Sequence, residues 1–517
     1  NGAYDASDTE NDNIAIGYQA MTTNTAGGTI NIAIGNYALD ALTSGDNNVA
    51  VGYEALTTNN AGVDNVGIGR ESLKVNTSGD YNTAVGNYAL DANTTGSDNV
   101  AVGVSALGGN TTAADNVAVG VSAMLTNSTG TANVAVGKRA LKLNTTANNN
   151  TALGHDSLTA NTTGHENTAA GRNSMLSNTT GSLNTALGES ALATNTTGVS
   201  NAAVGKSALY ANTTGDFNVA IGAQALIANT TADNNTATGY QTMLSNTTGA
   251  GNTAYGSNAL LVNTTAANNT SVGYSSMRYN STGANNTAVG KDSLYTNTTG
   301  GTNTVLGIEA MYDNSTGNDN VALGANALAN NTTASNNTAV GRSSMLTNTT
   351  GTSNVAVGFE SLKANTTAAN NVAVGFQALI ATTTGADNIG IGYKALDANT
   401  TGTRNLAIGS AAYGGSDTEN DNIAIGYNAM TTNTAGGSEN LALGNYALDA
   451  LTSGDGNVAL GHMTLTATNA GRHNVGVGYR ALYTNTGGDN NVAAGKESMF
   501  YNTTGAENVA IGNQALT

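Results

Sequence analysis

A repeat of 17 residues runs through the chain and constrains its fold more than any other feature. Residues 82–98 read NTAVGNYALDANTTGSD, and residues 99–115 read NVAVGVSALGGNTTAAD. Counted from its leading Asn, each unit follows N-[V/T/I]-A-[V/I/L]-G-x-x-[A/S]-[L/M]-x-x-N-T-T-[G/A]-x-x, whose places are called positions 1 to 17. The Asn at position 1 and the Gly at position 5 occur in all 30 units, from Asn13 to Asn508. Such a period predicts a repeat architecture in which each unit contacts its neighbours.

A second, longer repeat begins inside the chain. The segment SDTENDNIAIGYQAMTTNTAGG starts at Ser7 and returns 409 residues later at Ser416, with a single difference between Gln19 and Asn428. Both copies contain a unit of 18 residues, at 13–30 and 422–439. We expect one continuous solenoid over 1–517, in which 1–409 is one super-repeat and 410–517 begins the next. The offset also predicts that the chain is part of a longer polymer of super-repeats.

The local signals within a unit are those of β-structure. Asn-Val-Ala-Val-Gly alternates with period two and ends at Gly, and Asn-Thr-Thr-Gly is a turn cluster. Asn-Gly, the strongest hairpin signal, occurs only at residues 1–2. Strands should therefore follow one another around a coil, and the unit predicts an all-β parallel β-solenoid of 30 coils. At about 4.8 Å per coil, these coils would form a rod of roughly 145 Å.

Stacking of coils explains the positions that never vary. An Asn repeated in every coil can form a side-chain hydrogen-bond ladder along the axis, and a repeated Gly can form a corner through positive φ or close backbone approach. The chain contains 0 Pro, as expected if the N–H groups of each coil serve its neighbours. The predicted ladder residues are Asn65, Asn82, Asn99, Asn116, Gly69, Gly86, Gly103 and Gly120.

The pattern of small residues suggests an assembly. Positions 2 and 4 should point one way and position 3 the other, and we expect the larger residues at positions 2 and 4 to lie inside the coil. Position 3, which is Ala in 25 of 30 units, would then form an outward stripe of small apolar side chains. Such a stripe implies burial against a partner, and the simplest partner is the same stripe on identical chains in a parallel homotrimer.

Composition and charge exclude several classes of function. The chain has 16 Lys and Arg against 34 Asp and Glu, for a net charge of −18, and therefore lacks the basic footprint of a nucleic-acid-binding protein. It has no Cys, which excludes disulfides and thiolate zinc sites. No apolar stretch approaches the length of a membrane span. The scarcity of chemically active side chains argues against an enzyme.

The N-x-A-[V/I]-G-x-x-[A/S] core resembles the head repeat of the trimeric autotransporter adhesins, and it is similar to runs in the shafts of bacteriophage tail fibres. The resemblance covers essentially the whole chain. It implies a left-handed parallel β-roll, three chains around one axis and a role in surface attachment. The Asn-Thr-Thr-Gly turn departs from the adhesin pattern and lengthens the coil, which leaves an adhesin, a phage fibre and another extracellular filament as alternatives.

Motifs with possible chemistry have structural explanations. Three Gly-x-Gly runs, beginning at Gly67, Gly390 and Gly476, imitate a dinucleotide fingerprint but arise where Gly replaces Ala at position 3. The four His (His155, His165, His462 and His473) are scattered along the chain, and none has a partner at metal-ligand spacing. The pairs Asp98-Asn99 and Asp115-Asn116 are similar to calcium turns but lack the calcium β-roll signature. We therefore predict no catalytic, cofactor-binding or metal-binding residue and no cofactor.

Asn-Thr-Thr is also an acceptor for N-glycosylation. Every unit from Asn76 to Asn365 carries a sequon at position 12, which makes 18 sites. The alternative explanation is turn chemistry, since Asn tolerates left-handed backbone and caps turns. The glycosylation candidates are Asn93, Asn110, Asn144, Asn161, Asn178 and Asn212.

These observations favour a non-enzymatic structural repeat protein, extracellular or on a cell or virion surface, that forms a rigid fibre for attachment or matrix formation. Its expected partner is itself, as a homo-oligomer and longer polymer, with a cell-surface glycan or receptor as a further partner. The alternatives are an ice- or surface-binding solenoid, in which Thr94-Thr95 and its copies form the contact rank, and a receptor-binding shaft of a phage tail fibre or tailspike.

Overall fold

The structure is a computed structural model that describes residues 2, 12–415, 417–433 and 436–517. In this part of the chain it contains short β-strands joined by turns, and no helix. The chain divides into two compact units, residues 1–253 and 254–517. Each unit is a parallel β-solenoid with one strand of three residues per coil, which confirms the predicted fold class.

The strands occupy positions 2–4 of successive coils. In the first unit they are β1 Ile14–Ile16, β2 Ile32–Ile34, β3 Val49–Val51, β4 Val66–Ile68, β5 Thr83–Val85, β6 Val100–Val102, β7 Val117–Val119, β8 Val134–Val136, β9 Thr151–Leu153, β10 Thr168–Ala170, β11 Thr185–Leu187, β12 Ala202–Val204, β13 Val219–Ile221 and β14 Thr236–Thr238; β15 is Thr253–Tyr255. In the second unit they are β16 Thr270–Val272, β17 Thr287–Val289, β18 Thr304–Leu306, β19 Val321–Leu323, β20 Thr338–Val340, β21 Val355–Val357, β22 Val372–Val374, β23 Ile389–Ile391, β24 Leu406–Ile408, β25 Ile423–Ile425, β26 Leu441–Leu443, β27 Val458–Leu460, β28 Val475–Val477, β29 Val492–Ala494 and β30 Val509–Ile511.

Within each unit, every strand pairs in parallel with the next at the same position of the repeat. Ala101 in β6 lies opposite Ala118 in β7, for example. The coil of 18 residues keeps this register, because Ile14 in β1 pairs with Ile32 in β2. The extra residue is therefore absorbed outside the strand.

The two faces of the strand are the reverse of those predicted from the sequence. Ala84 and Ala101 at position 3 are fully buried, whereas the residues at positions 2 and 4 are half-buried or exposed. The interior is narrow because Leu or Met at position 9 already fills it. A Cβ added to Gly67, which replaces Ala at position 3, would lie only 3.2 Å from Cγ of Leu56. The interior has room for little more than a methyl group at this place, where Val305 is the one larger aliphatic side chain, so most of the β-branched side chains point outwards.

The turns depend on left-handed backbone at positions 7, 9 and 17. The non-glycine residues with positive φ have values between 47° and 66°, among them Leu90 at 53°. A β-branched side chain is strained in this region, and even other residues cost roughly 1–2 kcal/mol. Positions 7 and 9 contain no Val, Ile or Thr in any unit, although these residues dominate the strands. Left-handed backbone therefore explains why position 9 has Leu, Met or, once, Tyr413, and never a β-branched residue.

Backbone hydrogen bonds connect each coil to its neighbours throughout both units. The N–H of Val100 donates to the carbonyl of Asn116 in the next coil at 2.8 Å, and the N–H of Gly103 donates to the carbonyl of Val85 in the preceding coil at 2.8 Å. Equivalent bonds recur at positions 2, 5, 7, 9, 11, 13 and 17. A proline at any of these positions would remove an axial hydrogen bond, which accounts for its absence.

Candidate functional site and surfaces

The Asn residues at position 1 form the predicted ladder inside the coil. Asn82 is fully buried, and its backbone N–H and Nδ2 both donate to Oδ1 of Asn65, at 3.0 and 3.1 Å. Its Oδ1 accepts the same two bonds from Asn99, at 3.1 and 3.0 Å. Nδ2 of Asn82 also donates to the carbonyl of Gly96 at 2.8 Å. The same bonding is repeated at Asn116, so all four Asn lie on one ladder of side-chain hydrogen bonds.

The Gly residues at position 5 form corners that stack directly on one another. Gly69, Gly86, Gly103 and Gly120 have φ values of 132°, 139°, 134° and 138°. A Cβ added to Gly86 would lie 2.5 Å from the carbonyl oxygen of Gly103 in the next coil. Both reasons predicted for this Gly, positive φ and close backbone approach, therefore apply.

A second Asn ladder lies at position 12, on the residues considered as glycosylation sites. Asn93, Asn110, Asn144, Asn161, Asn178 and Asn212 are all fully buried. Nδ2 of Asn93 donates to Oδ1 of Asn76 at 2.8 Å and to the carbonyl of Gly96 at 2.9 Å. A glycan would replace one of the two hydrogens on this buried nitrogen and so remove one of these bonds, and it could be attached only before the coil closes. Turn chemistry accounts for the motif without glycans, and glycosylation stays a sequence prediction.

The two Thr that follow this Asn have different roles. Oγ1 of Thr94 at position 13 donates to the carbonyl of Thr111 in the next coil at 2.9 Å. Thr95 at position 14 is exposed, and an exposed Thr occupies the same position in the 20 coils from Thr95 to Thr418. One row of Thr side chains, at position 14, therefore exposes its hydroxyl and methyl groups to solvent.

The outward strand face consists of positions 2 and 4. These positions contain aliphatic residues, Thr and one Tyr in all 30 units, and no charged residue. Among the largest outward side chains, Leu187 is 38% exposed and Ile221 is 43% exposed. Their flanks are covered by the same position in the coils on either side, so the exposed part is the outer edge of a continuous apolar surface. We call positions 2 and 4 the strand face.

A different surface, the turn edge, is formed by positions 6, 7, 10 and 11. It carries 14 of the 16 Lys and Arg and most of the exposed aromatic rings. Phe359, Phe376 and Tyr393 stack along the axis with centroid distances of 5.3 and 5.4 Å. The Arg70 guanidinium lies 5.8 Å from the ring centroid of Tyr53. Neighbouring coils therefore pair their variable side chains, and the turn edge presents arrays rather than single residues.

The last two positions of the coil form an acidic edge. They hold 16 of the 34 Asp and Glu but only two of the 16 Lys and Arg. Oδ1 of Asp80 at position 16 accepts the N–H of Val63 in the preceding coil at 2.8 Å, and Oδ1 of Asp216 accepts that of Val199 at 2.7 Å. These carboxylates therefore satisfy a backbone donor that the axial ladder leaves unpaired.

One coil of the second unit, residues 405–421, departs from the repeat. Tyr413 replaces Leu or Met at position 9, and the sequence has Ser416 in place of Asn at position 12. The Tyr413 hydroxyl is fully buried and accepts Nδ2 of Asn433 at 3.0 Å, the bond that an Asn at position 12 would accept. Glu419 is 3% exposed and accepts the N–H of Gly436, beside the extra residue of the next coil, at 3.0 Å. These two substitutions therefore keep an 18-residue coil joined to a 17-residue coil.

The other predicted groups do not come together as a site. Nδ1 of His155 lies 3.0 Å from Oδ2 of Asp156, Nδ1 of His165 lies 3.5 Å from Glu166, and His462 stacks on Tyr479. His473 is exposed near the end of its coil. Over the described ranges, no group of three or more His, Cys, Asp or Glu is placed to hold a metal ion. Nor does any helix in them have the length and apolarity to cross a membrane.

The Gly-x-Gly runs and the Asp-Asn pairs are also part of the coil structure. Gly67, Gly390 and Gly476 are buried inside the coil at position 3, where no ligand can reach them. Asp98 and Asp115 are on the acidic edge, and the N–H of each donates to a carbonyl of the preceding coil at 3.0 and 3.2 Å.

Replacement of Asp449 by Asn should stabilise the second unit at neutral pH. Burial raises the pKa of the Asp449 carboxyl, so its ionised form disfavours the folded state. The penalty is present at neutral pH and disappears below the unfolded pKa of about 3.9. We expect Asp449→Asn to gain about 0.5 kcal/mol at pH 7 and nothing at pH 3, measured by thermal unfolding.

Asp421→Asn is the control of opposite sign. Arg404 forms two hydrogen bonds with Asp421, at 2.6 and 2.8 Å, and holds the pKa of this carboxyl below its usual range. Its contribution is therefore present at neutral pH and is lost as the pH falls through the folded pKa. Equal effects of the two substitutions would contradict the assignment.

No protein-family model matches this chain, and no curated protein matches it. The ladders and surfaces of the coil are therefore the features from which a function is proposed below.

Proposed function

We propose that this protein is a non-enzymatic structural element of a rigid extracellular fibre that serves attachment or matrix formation. The proposal is supported above all by the role of the most constant residues, because the invariant Asn at position 1, the invariant Gly at position 5 and the frequent Asn at position 12 all join one coil to the next. The chain thus uses its most constant side chains for axial cohesion. The variable residues decorate the turn edge, where a cell-surface glycan or receptor would be contacted.

The proposed fibre is a parallel homotrimer that buries the strand face. The small residues at position 3 no longer support this assembly, since they lie inside the coil. Positions 2 and 4 support the trimer instead. They hold no charged residue in any coil, although the chain has a net charge of −18. At roughly 40 Å² per half-exposed aliphatic side chain, about ten coils present the ~800 Å² per partner of a stable interface. Three copies and a left-handed coil follow the resemblance to adhesin heads.

Two aspartates on the strand face should break this assembly. Leu187→Asp with Ile221→Asp places charges on β11 and β13 without disturbing the interior, because both side chains point outwards. We expect the unmodified protein to sediment at about three times the monomer mass and the double variant to sediment as a monomer with unchanged circular dichroism.

The matched control is Thr197→Asp with Thr231→Asp, which adds the same charge at position 14 of the same stretch. It should leave the oligomer intact. A monomeric unmodified protein, or equal effects of both double variants, would overturn assembly through the strand face. Projection images along the fibre axis count the chains directly.

Binding to ice or another ordered surface is a second candidate. It is favoured by the rank of 20 exposed Thr at position 14, which repeats once per coil, or about every 4.8 Å. Against it, the hydroxyl groups at position 13 are bonded to the next coil, so only one rank is free. Thermal hysteresis in solutions of the purified protein tests this candidate, and its absence rejects it.

A further inference from the structure

One stretch of this acidic chain reverses the sign of its charge. The six coils of residues 116–217 contain five Lys and Arg against four Asp and Glu, whereas the chain as a whole carries −18. All five cations of the stretch lie on the turn edge: Lys138, Arg139, Lys142, Arg172 and Lys206. The acidic edge of the same coils holds only two carboxylates, Glu166 and Asp216. The first unit therefore has a basic surface on one side of about five coils, which we call the basic edge.

The geometry of the basic edge is a linear array. Lys138, Arg172 and Lys206 all occupy position 6, and each follows the previous one after two coils, or about 10 Å. Lys138 is exposed, and the side chains of Arg172 and Lys206 are 64% and 70% exposed. The array is thus available to a partner that carries negative charge at regular intervals.

The cations of the array are only partly neutralised by their own chain. Glu189 lies between Arg172 and Lys206, bonded to the first and 3.4 Å from Nζ of the second. These two cations hold the pKa of Glu189 below its usual range, so it is ionised at neutral pH. Arg139 pairs with Asp156 at 2.5 Å. Two carboxylates thus face five cations on this edge, and positive charge remains for an external anion.

We propose that the basic edge binds a linear anionic polysaccharide that runs along the axis of the solenoid. Flexible surface cations suit carboxylated or sulfated sugars, because such chains carry charge along their whole length and need no pocket. The spacing of two coils is of the order of one disaccharide in an extended chain. This inference rests on the proposed function, since it specifies the surface that the fibre would attach to.

Oligogalacturonate, with a carboxylate on every sugar, is the probe, and neutral dextran of similar length is the control ligand. We expect oligogalacturonate to bind the full chain, with a Kd that rises steeply between 0.05 and 0.3 M salt, and dextran not to bind. The variant Lys138→Gln, Arg172→Gln, Lys206→Gln should weaken binding about tenfold or more. Glu189→Gln should tighten it about two- to threefold, because it removes the carboxylate that competes with the ligand.

The matched control removes three cations from the same position elsewhere. Lys291→Gln, Arg342→Gln and Lys496→Gln also lie at position 6 but outside the basic stretch, and should change the Kd less than about twofold. Equal effects of the two triple variants, or binding no stronger than to dextran, would overturn the proposal. A third outcome would also overturn it: the protein self-associates in a salt-sensitive way, the first triple variant abolishes this self-association, and oligogalacturonate does not bind. The partner of the basic edge would then be the acidic edge of a second copy.

Sedimentation of the same samples separates this inference from the fibre proposal. An intact oligomer that does not bind oligogalacturonate rejects the basic edge as a polysaccharide site and leaves the fibre in place. A monomer that binds oligogalacturonate rejects the assembly and supports the site.

Discussion

Replacement of Gly290 by Ala should destabilise its coil by about 3–5 kcal/mol. Gly290 has a φ of 138°, a region that is nearly restricted to glycine. A Cβ at this residue would lie 2.3 Å from the carbonyl oxygen of Gly307 in the next coil, and both atoms belong to the stacked backbone. The coils could relieve the contact only by separating, which would stretch the axial hydrogen bonds on both sides. Amide hydrogen exchange over residues 273–307 should therefore accelerate by about three orders of magnitude.

Gly300→Ala in the same coil is the matched control. A Cβ at Gly300, at position 15, would also meet a backbone oxygen, that of Gly317 at 2.4 Å, but Gly300 does not have a positive φ. Position 15 is Ala in six other coils, and Ala334 is one of these, buried inside its own coil. The control should cost less than about 1 kcal/mol. Equal acceleration of exchange in the two variants would show that φ at position 5 does not restrict the residue.

The ladders and corners could be predicted because a constant residue in a stacked repeat must contact its own copy. Asn82 and Gly86 are such cases, and their hydrogen bonds and φ values agree with the prediction. The orientation of the strand could not be predicted from alternation, since alternation separates two faces without saying which one is inside. The missing information was at position 9, where Leu90 has left-handed backbone and fills the interior. The absence of β-branched residues at that position was a signal for it.

The functional surfaces were only partly predictable. The sequon at Asn93 suggested an exposed turn, but the side chain turns inwards because its amide can bond both Asn76 and the carbonyl of Gly96. A sequence motif does not distinguish a capping amide from a free one. The charge balance of residues 116–217 is visible in the sequence. Its meaning required the structure, which places Lys138, Arg172 and Lys206 on one edge.

A position of the repeat is more constant when its side chain hydrogen-bonds more backbone groups. Position 1 is Asn in all 30 coils, whereas position 12 also accepts Leu42, Leu451, Thr382, Thr468 and Ser416. Both Asn ladders are buried and both bond the carbonyl at position 15. The difference is that Oδ1 at position 1 also accepts the backbone N–H of the next coil, as Asn82 does from Asn99. A backbone donor cannot be removed by substitution, so position 1 has no alternative.

Asn150→Leu at position 1 should therefore destabilise the first unit by about 3–5 kcal/mol. Oδ1 of Asn150 accepts the buried N–H of Asn167 at 3.0 Å, and its Nδ2 donates to the carbonyl of Gly164 at 3.0 Å. Leu would leave this N–H without an acceptor, at a cost of about 1–3 kcal/mol, and would also break the side-chain ladder. The loss can be measured as a lower temperature of thermal unfolding and as faster amide exchange at residue 167.

Asn161→Leu in the same coil isolates the backbone donor as the cause. Asn161 makes three ladder bonds, to Asn144 and Gly164 and from Asn178, but none of them involves a backbone N–H. Leu already fills this position at Leu42 and Leu451, both fully buried. We expect a cost of about 1–2 kcal/mol, and amide exchange of the next coil close to normal. If Asn161→Leu were as damaging as Asn150→Leu, the constancy of position 1 could not come from the backbone donor, because only Asn150 accepts a backbone N–H.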